Sequence, residues 1–136
     1  MDGRDGAESA LTDEMIMNCI YVVRGQKVMI DVDLAGLYQI DPIELTEEVE
    51  MNSSRFPEDL IFELNEDDFC SLWKQNASLA KTINRREVRI AFTERAIPML
   101  AGIIASDMVL KVNCRVIRIF YHIRQILDHY PDIRLE

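Results

Sequence analysis

The chain has 136 residues, 49% of them hydrophobic and 7% aromatic, with a net charge of −9, which is enough to bury one core of ordinary size in a single domain. Cys19, Cys70 and Cys114 are odd in number, widely spaced and without a CxxC pair; this argues against a disulfide or zinc framework and for reduced thiols acting as small apolar core residues in a cytoplasmic protein. No apolar run reaches the roughly 18 to 20 residues that span a bilayer, and the acidic amino terminus lacks a signal-peptide layout, so no membrane partner is expected.

Charge is unevenly placed. Residues 31–68 hold thirteen acidic residues and one basic residue, Arg55, whereas residues 69–136 hold eleven basic and six acidic. A dipolar layout suits self-association as well as an external partner. Residues 1–14 are polar, glycine-containing and poor in large apolar groups, and are expected to be disordered because they cannot offset their own ordering entropy. The ordered domain is placed at 15–130, followed by a tail at 131–136.

Residues 19–23 (CIYVV) and 27–30 (KVMI) are β-favouring runs separated by Arg24-Gly25-Gln26. Gly25 permits a positive φ, so the pair reads as a β-hairpin. Asp31 is a candidate cap for a short helix at 32–39 with Leu34, Leu37 and Tyr38 on one face. Asp41-Pro42-Ile43-Glu44 is a helix-start signal, with Asp41 as N-cap and Pro42 at the first helical position. The second helix, 42–51, turns Leu45 and Val49 inward. Two short helices joined so tightly form a helix-turn-helix pattern; the same pattern also serves as an αα-corner in domains that never meet DNA.

Arg55-Phe56-Pro57 ends that helix, 60–64 (LIFEL) reads as a strand, and Asn65 caps a helix at 66–75 whose acidic first turn suits its positive end. Val88, Ile90 and Phe92 alternate with Glu87, Arg89 and Ala91, the mark of a half-buried strand. Paired with 60–64 it would form a β-wing carrying Lys81, Arg85, Arg86 and Arg89 as phosphate contacts; a solvated basic loop is the other account. Thr93 is expected to cap a helix at 94–104 that Pro98 kinks or splits. Ser106 then opens the longest element, a helix at 106–130. Along it Val109, Val112, Val116, Ile119, Ile123, Ile126 and Tyr130 follow a 3-4 spacing over three heptads, the pattern of a coiled-coil seam. Leu110, Cys114, Ile117 and Tyr121 form a second apolar stripe, and Lys111, Arg115, Arg118 and His122 line the remaining arc. A helix this apolar is expected to be buried on two sides, against its own domain and against a second copy, with Val109, Val112, Val116, Ile119, Ile123 and Ile126 as the homodimer interface. A central helix of a monomer would use both stripes as well.

Nothing points to catalysis, a cofactor or a metal. His122 and His129 lie seven apart on one helix without carboxylate or cysteine partners at ligand spacing, and no glycine-rich phosphate loop or EF-hand spacing is present.

The phrases IYVVRGQKVMIDVDLAGLYQI (20–40), NSSRFPEDLIFEL (52–64), AFTERAIPMLAGIIASD (91–107) and VNCRVIRIFYHIRQ (112–125) together resemble the phage-type ORF-six-N domain, which is related to the KilA-N and Bro-N domains of large DNA viruses and phage antirepressors. The likeness spans about residues 19–126. Its most specific pieces are Arg24-Gly25-Gln26-Lys27-Val28, Arg55-Phe56-Pro57-Glu58-Asp59 and Ala91-Phe92-Thr93-Glu94. The resemblance implies a DNA-binding domain of transcription regulation. It also implies Lys or Arg at the positions held here by Ile43, Glu44, Glu50 and Met51, whereas Leu45, Val49 and Asn52 fit the family pattern.

The reading that results is an α+β, winged helix-turn-helix-like domain with an N-terminal β-hairpin and a long C-terminal helix. Its expected work is dimeric binding of double-stranded DNA, with phosphate contacts from Lys81, Arg85, Arg86 and Arg89. The alternative is an acidic protein-interaction module, in which Ile43, Glu44, Glu47, Glu48, Glu50 and Met51 form an altered recognition face for a basic protein partner or a DNA-mimicking decoy.

Overall fold

Arg24 and Gly25 both take left-handed backbone, with φ of 54° and 75°, as the two-residue turn of a tight hairpin requires. They join β1 (Tyr21–Val23) to β2 (Gln26–Ile30), with Tyr21 opposite Val28 and Val23 opposite Gln26. The computed structural model describes residues 11–76 and 90–129, without the side chains of 127–129. Two further strands, β3 (Ile61–Glu63) and β4 (Ile90–Thr93), complete a four-stranded antiparallel sheet in the order β1-β2-β4-β3. Helices α1 (Asp13–Met17), α2 (Asp31–Tyr38), α3 (Pro42–Met51), α4 (Glu66–Gln75), α5 (Ala96–Leu100) and α6 (Asp107–His129) surround it, making the fold α+β with a long C-terminal helix.

Alternation along the strands divides the core in two. Met29, Ile90 and Phe92 belong to the larger cluster, with Ile16 of α1, Leu34 of α2, Leu45 of α3, Ile97 of α5 and Val116 of α6. Val28, Ile30 and Ala91 join Tyr21, Val23 and the α4 residues Phe69 and Leu72 in a smaller cluster.

The expected pairing of 60–64 with 87–92 is present as β3 with β4, but not as a free-standing ribbon. β4 also pairs with β2, Met29 facing Phe92, so it is an inner strand. Nor is it half-buried: Ala91 and Phe92 are both fully enclosed, because α4 closes the face that alternation alone would leave in water. Residues 87–89 lie outside the described residues.

Order begins earlier than residue 15. Thr12 caps α1, its Oγ1 accepting from the Met15 N–H at 3.1 Å, and Ile16 enters the larger core. Asp31 does not cap α2. It is the first residue of the helix and fully buried, with Ile30 at the N-cap position; its carboxylate accepts from Val32 N–H at 2.8 Å and from Ile90 N–H at 3.2 Å, tying the helix start to β4. Thr93 is likewise the end of β4 rather than a cap, its hydroxyl donating to Leu60 C=O at 2.7 Å. α5 starts only at Ala96, so Pro98 falls in its first turn, where a missing N–H costs nothing. No kink is needed, and the helix ends at Leu100.

Ser106 does lie at the start of α6, its Oγ accepting from Val109 N–H at 3.4 Å. The 3-4 seam along this helix needs correction as a dimer interface. Val109, Val112, Val116, Ile119 and Ile123 are buried in the core of their own chain, and of the six only Ile126 is exposed. The sheet and the shorter helices of the same chain have filled the seam. The second stripe is the exposed one, with Leu110, Ile117 and Tyr121 in solvent. Cys70 and Cys114 are also exposed, not core residues, and Cys19 is partly buried; burial and, secondarily, the Asp33 charge push the Cys19 thiol up to about 12.

Candidate functional site

The α2–α3 pair is built by local rules. Gln39 ends α2 in left-handed backbone, φ 63°, so that Ile40 N–H reaches back to Ala35 C=O at 3.0 Å. The chain then restarts at once: the Asp41 carboxylate accepts from Ile43 N–H at 2.8 Å and Pro42 occupies the first turn, where its fixed φ favours the helix. The inner face of α3 sends Leu45 and Val49 into the core shared with Leu34, Tyr38 and Phe56. Thr46 is buried beside them, its hydroxyl donating to Ile43 C=O at 3.0 Å.

The outer face of α3 carries no cation. Glu44, Glu47 and Glu50 are exposed and Glu48 is half-buried, while Ile43 and Met51 are 67% and 79% exposed. The sequence-based face of Ile43, Glu44, Glu47, Glu48, Glu50 and Met51 is therefore one continuous surface, apart from the partial burial of Glu48. Lys81, Arg85, Arg86 and Arg89 lie outside the described residues.

Several cations elsewhere are engaged internally. Arg24, in the hairpin turn, donates to both oxygens of Asp68, at 3.2 and 2.8 Å, and to Glu63 C=O at 3.1 Å, and stacks 4.1 Å from the Phe62 ring centre. Asp68 also closes a capping box with Asn65 at the start of α4. Burial by itself would raise the Asp68 carboxyl, but the Arg24 hydrogen bond and the Asn65 N–H outweigh it and hold it below the usual carboxylate range. Arg115 is spent on α1, bonding Asp13 at 2.9 Å and Leu11 C=O at 2.6 Å, and Arg124 pairs with Glu94. Arg118 is exposed on α6.

Two features escaped the sequence reading. Asn113 is buried among the α6 seam residues, where it accepts from the Tyr38 hydroxyl and donates to Ile97 C=O at 3.0 Å, linking α2, α5 and α6. Its signal was its place between Val109 and Val116, an amide inside an apolar stripe. Asp33 has a buried Oδ2 with no hydrogen-bond partner among the described residues; burial first, and the neighbouring Asp31 charge second, push its carboxyl up to about 6. Among the described residues no three His, Cys, Asp or Glu side chains are grouped to hold a metal, and no helix is long and apolar enough to cross a membrane.

The family model of the ORF6N domain matches residues 18–103, more than half of the chain, and the protein belongs to this phage-type family. The match includes the hairpin, α2, α3, the sheet and α5; α1 and α6 lie outside it, so the likeness read at 112–125 extends beyond the matched part. No curated protein and no solved structure matches the chain.

Proposed function

We propose that this protein is a non-catalytic DNA-binding regulatory domain, needing no cofactor, whose phosphate contacts come from Lys81, Arg85, Arg86 and Arg89 rather than from α3. The observation that carries this reading is the tightly joined α2–α3 pair within an ORF6N domain. The physical chemistry of α3 then assigns the division of labour. Glu44, Glu47 and Glu50 face outward, and carboxylates meet phosphates with repulsion, so affinity has to be supplied elsewhere. A glutamate held in the major groove still accepts from a cytosine amino group, which leaves α3 a role in base selection.

Gel retardation of duplex DNA at about 50 mM salt tests this. Arg85→Ala with Arg86→Ala is expected to abolish binding, and Glu44→Lys with Glu50→Lys to strengthen it and steepen its salt dependence. Absence of retardation with any duplex would favour the second reading, an acidic protein-interaction module. That reading draws on the exposure of Ile43 and Met51, since apolar groups framed by charge suit a protein partner better than a phosphate backbone.

A further inference from the structure

Two helices expose apolar residues framed by charge, and the charges are opposite. On α6, Leu110, Cys114, Ile117 and Tyr121 recur at 4-3-4 spacing on the solvent side, with Leu110 52%, Ile117 40% and Tyr121 51% exposed. Three and four residues apart on a helix means one face, and at 1.5 Å per residue this stripe is about 16 Å long. Arg118 lies along its edge, exposed and without an ion pair among the described residues, and Lys111 lies on the same side two turns earlier. On α3, Ile43 and Met51 stand about 12 Å apart by the same rise, with Glu44 and Glu47 exposed between them.

We propose that copies of this chain associate head to tail, the outer face of α6 of one copy seating on the outer face of α3 of the next. Charge selects this pairing over the symmetric ones. An α6–α6 pair brings Arg118 and Lys111 of one copy toward the same cations of the other, and an α3–α3 pair sets carboxylates against carboxylates. Only α6 on α3 places Arg118 opposite Glu44 and Glu47 while covering Leu110, Ile117 and Tyr121 with Ile43 and Met51. Complementary charge at the rim sets register, and the apolar contact supplies the driving force. A heterologous contact leaves one unused face at each end, so association continues until the copies close on themselves, as a reciprocal pair or a larger ring, or grow as a filament. The contact needs no residue of the segment 81–89, but it covers the α3 face offered above for base selection, so a copy seated on α3 and a base read by α3 exclude one another.

Light scattering on the full chain, without nucleic acid and across a concentration series at low and high salt, tests it. The wild type is expected to exceed monomer mass at low salt and to lose mass as salt screens the rim charges. Arg118→Glu and Glu47→Lys, both at exposed positions and checked for unchanged circular dichroism, are each expected to weaken association on the order of tenfold or more. Mixing the two variants in equal amounts is expected to restore it, because Arg118→Glu keeps an intact α3 face and Glu47→Lys an intact α6 face. A wild type that stays monomeric throughout overturns the proposal. So does a Glu47→Lys variant that associates like the wild type, as an α6–α6 dimer would, or a mixture no heavier than its components.

Discussion

On one face of the sheet, Met29, Ile90 and Phe92 are enclosed by residues of α1, α2, α3, α5 and α6; on the other, Val28, Ile30 and Ala91 are covered chiefly by α4 through Phe69 and Leu72. The thick side is joined by a neutral polar link, Tyr38 to Asn113 to Ile97 C=O. Burial pushes the Tyr38 phenol upward, so this link stays uncharged over the whole useful pH range. The thin side is sealed at its rim by charge and by an amide. Arg24 holds Asp68, and the Gln75 side chain accepts from Val22 N–H and donates to Val22 C=O, each at 2.7 Å. Gln75 thereby stands in for a strand against the open edge of β1, which would otherwise invite pairing with another chain. The larger cluster should therefore respond to lost volume and lost hydrogen bonds, and the smaller one to pH and salt.

The largest effect should come from the thick side. Phe120 is fully buried there, and Phe120→Ala is expected to lose about 3 to 5 kcal/mol in urea unfolding; a loss below about 1 kcal/mol would mean that α6 is not central to that core. Asn113→Leu should follow, costing about 2 to 3 kcal/mol, because it strands the Tyr38 hydroxyl and the Ile97 carbonyl. Adding Tyr38→Phe should recover part of this, and a purely additive double variant would argue against the link.

Asp33 sharpens the contrast in the other direction. Its carboxyl moves from 3.8 to about 6 on folding, so between those values the folded chain holds a proton that the unfolded chain releases. Stability is thus highest below the unfolded value, falls as pH rises through 6, and stays reduced above it. Asp33→Asn is expected to stabilise by about 1 to 2 kcal/mol at pH 7 and by little at pH 4; thermal melts at the two pH values would show no such difference if the carboxylate is well solvated. The smallest effect belongs to the thin side's rim. Asp68 is depressed by Arg24, so that pair contributes above the unfolded carboxylate value and is lost as pH falls through the lower folded one. Arg24→Met should lower the melting temperature slightly at pH 7, with the two proteins converging in acid, whereas parallel melting curves across pH would remove Asp68 from the account.

The parts of the fold that were legible from residues are those set by near neighbours. Arg24-Gly25 specifies its turn because both take positive φ, and Asp41-Pro42 and Asn65 specify helix starts because their side chains bond N–H groups two or three residues ahead. The errors at Asp31 and Thr93 have the same origin in reverse. Each is a residue type that caps helices, yet each is bonded to a residue far away in the chain, Asp31 to Ile90 and Thr93 to Leu60, a competition that local spacing does not reveal. In the candidate site, the acidic outer face of α3 was readable from helical periodicity alone, since Leu45 and Val49 mark its inner side.

The residue order by itself determined the helix limits of α3 and α4, the hairpin turn and the acidic outer face of α3, all of which depend on spacing within a few positions, and, through phrases spread along the chain, membership of the ORF6N family. Tertiary structure decided which of the two apolar stripes on α6 went inward, that β4 is an inner strand covered on both faces, and that Asn113 joins three helices. A stripe is buried only when another part of the chain arrives to cover it, and that arrival depends on long-range packing against the sheet rather than on the helix's own pattern.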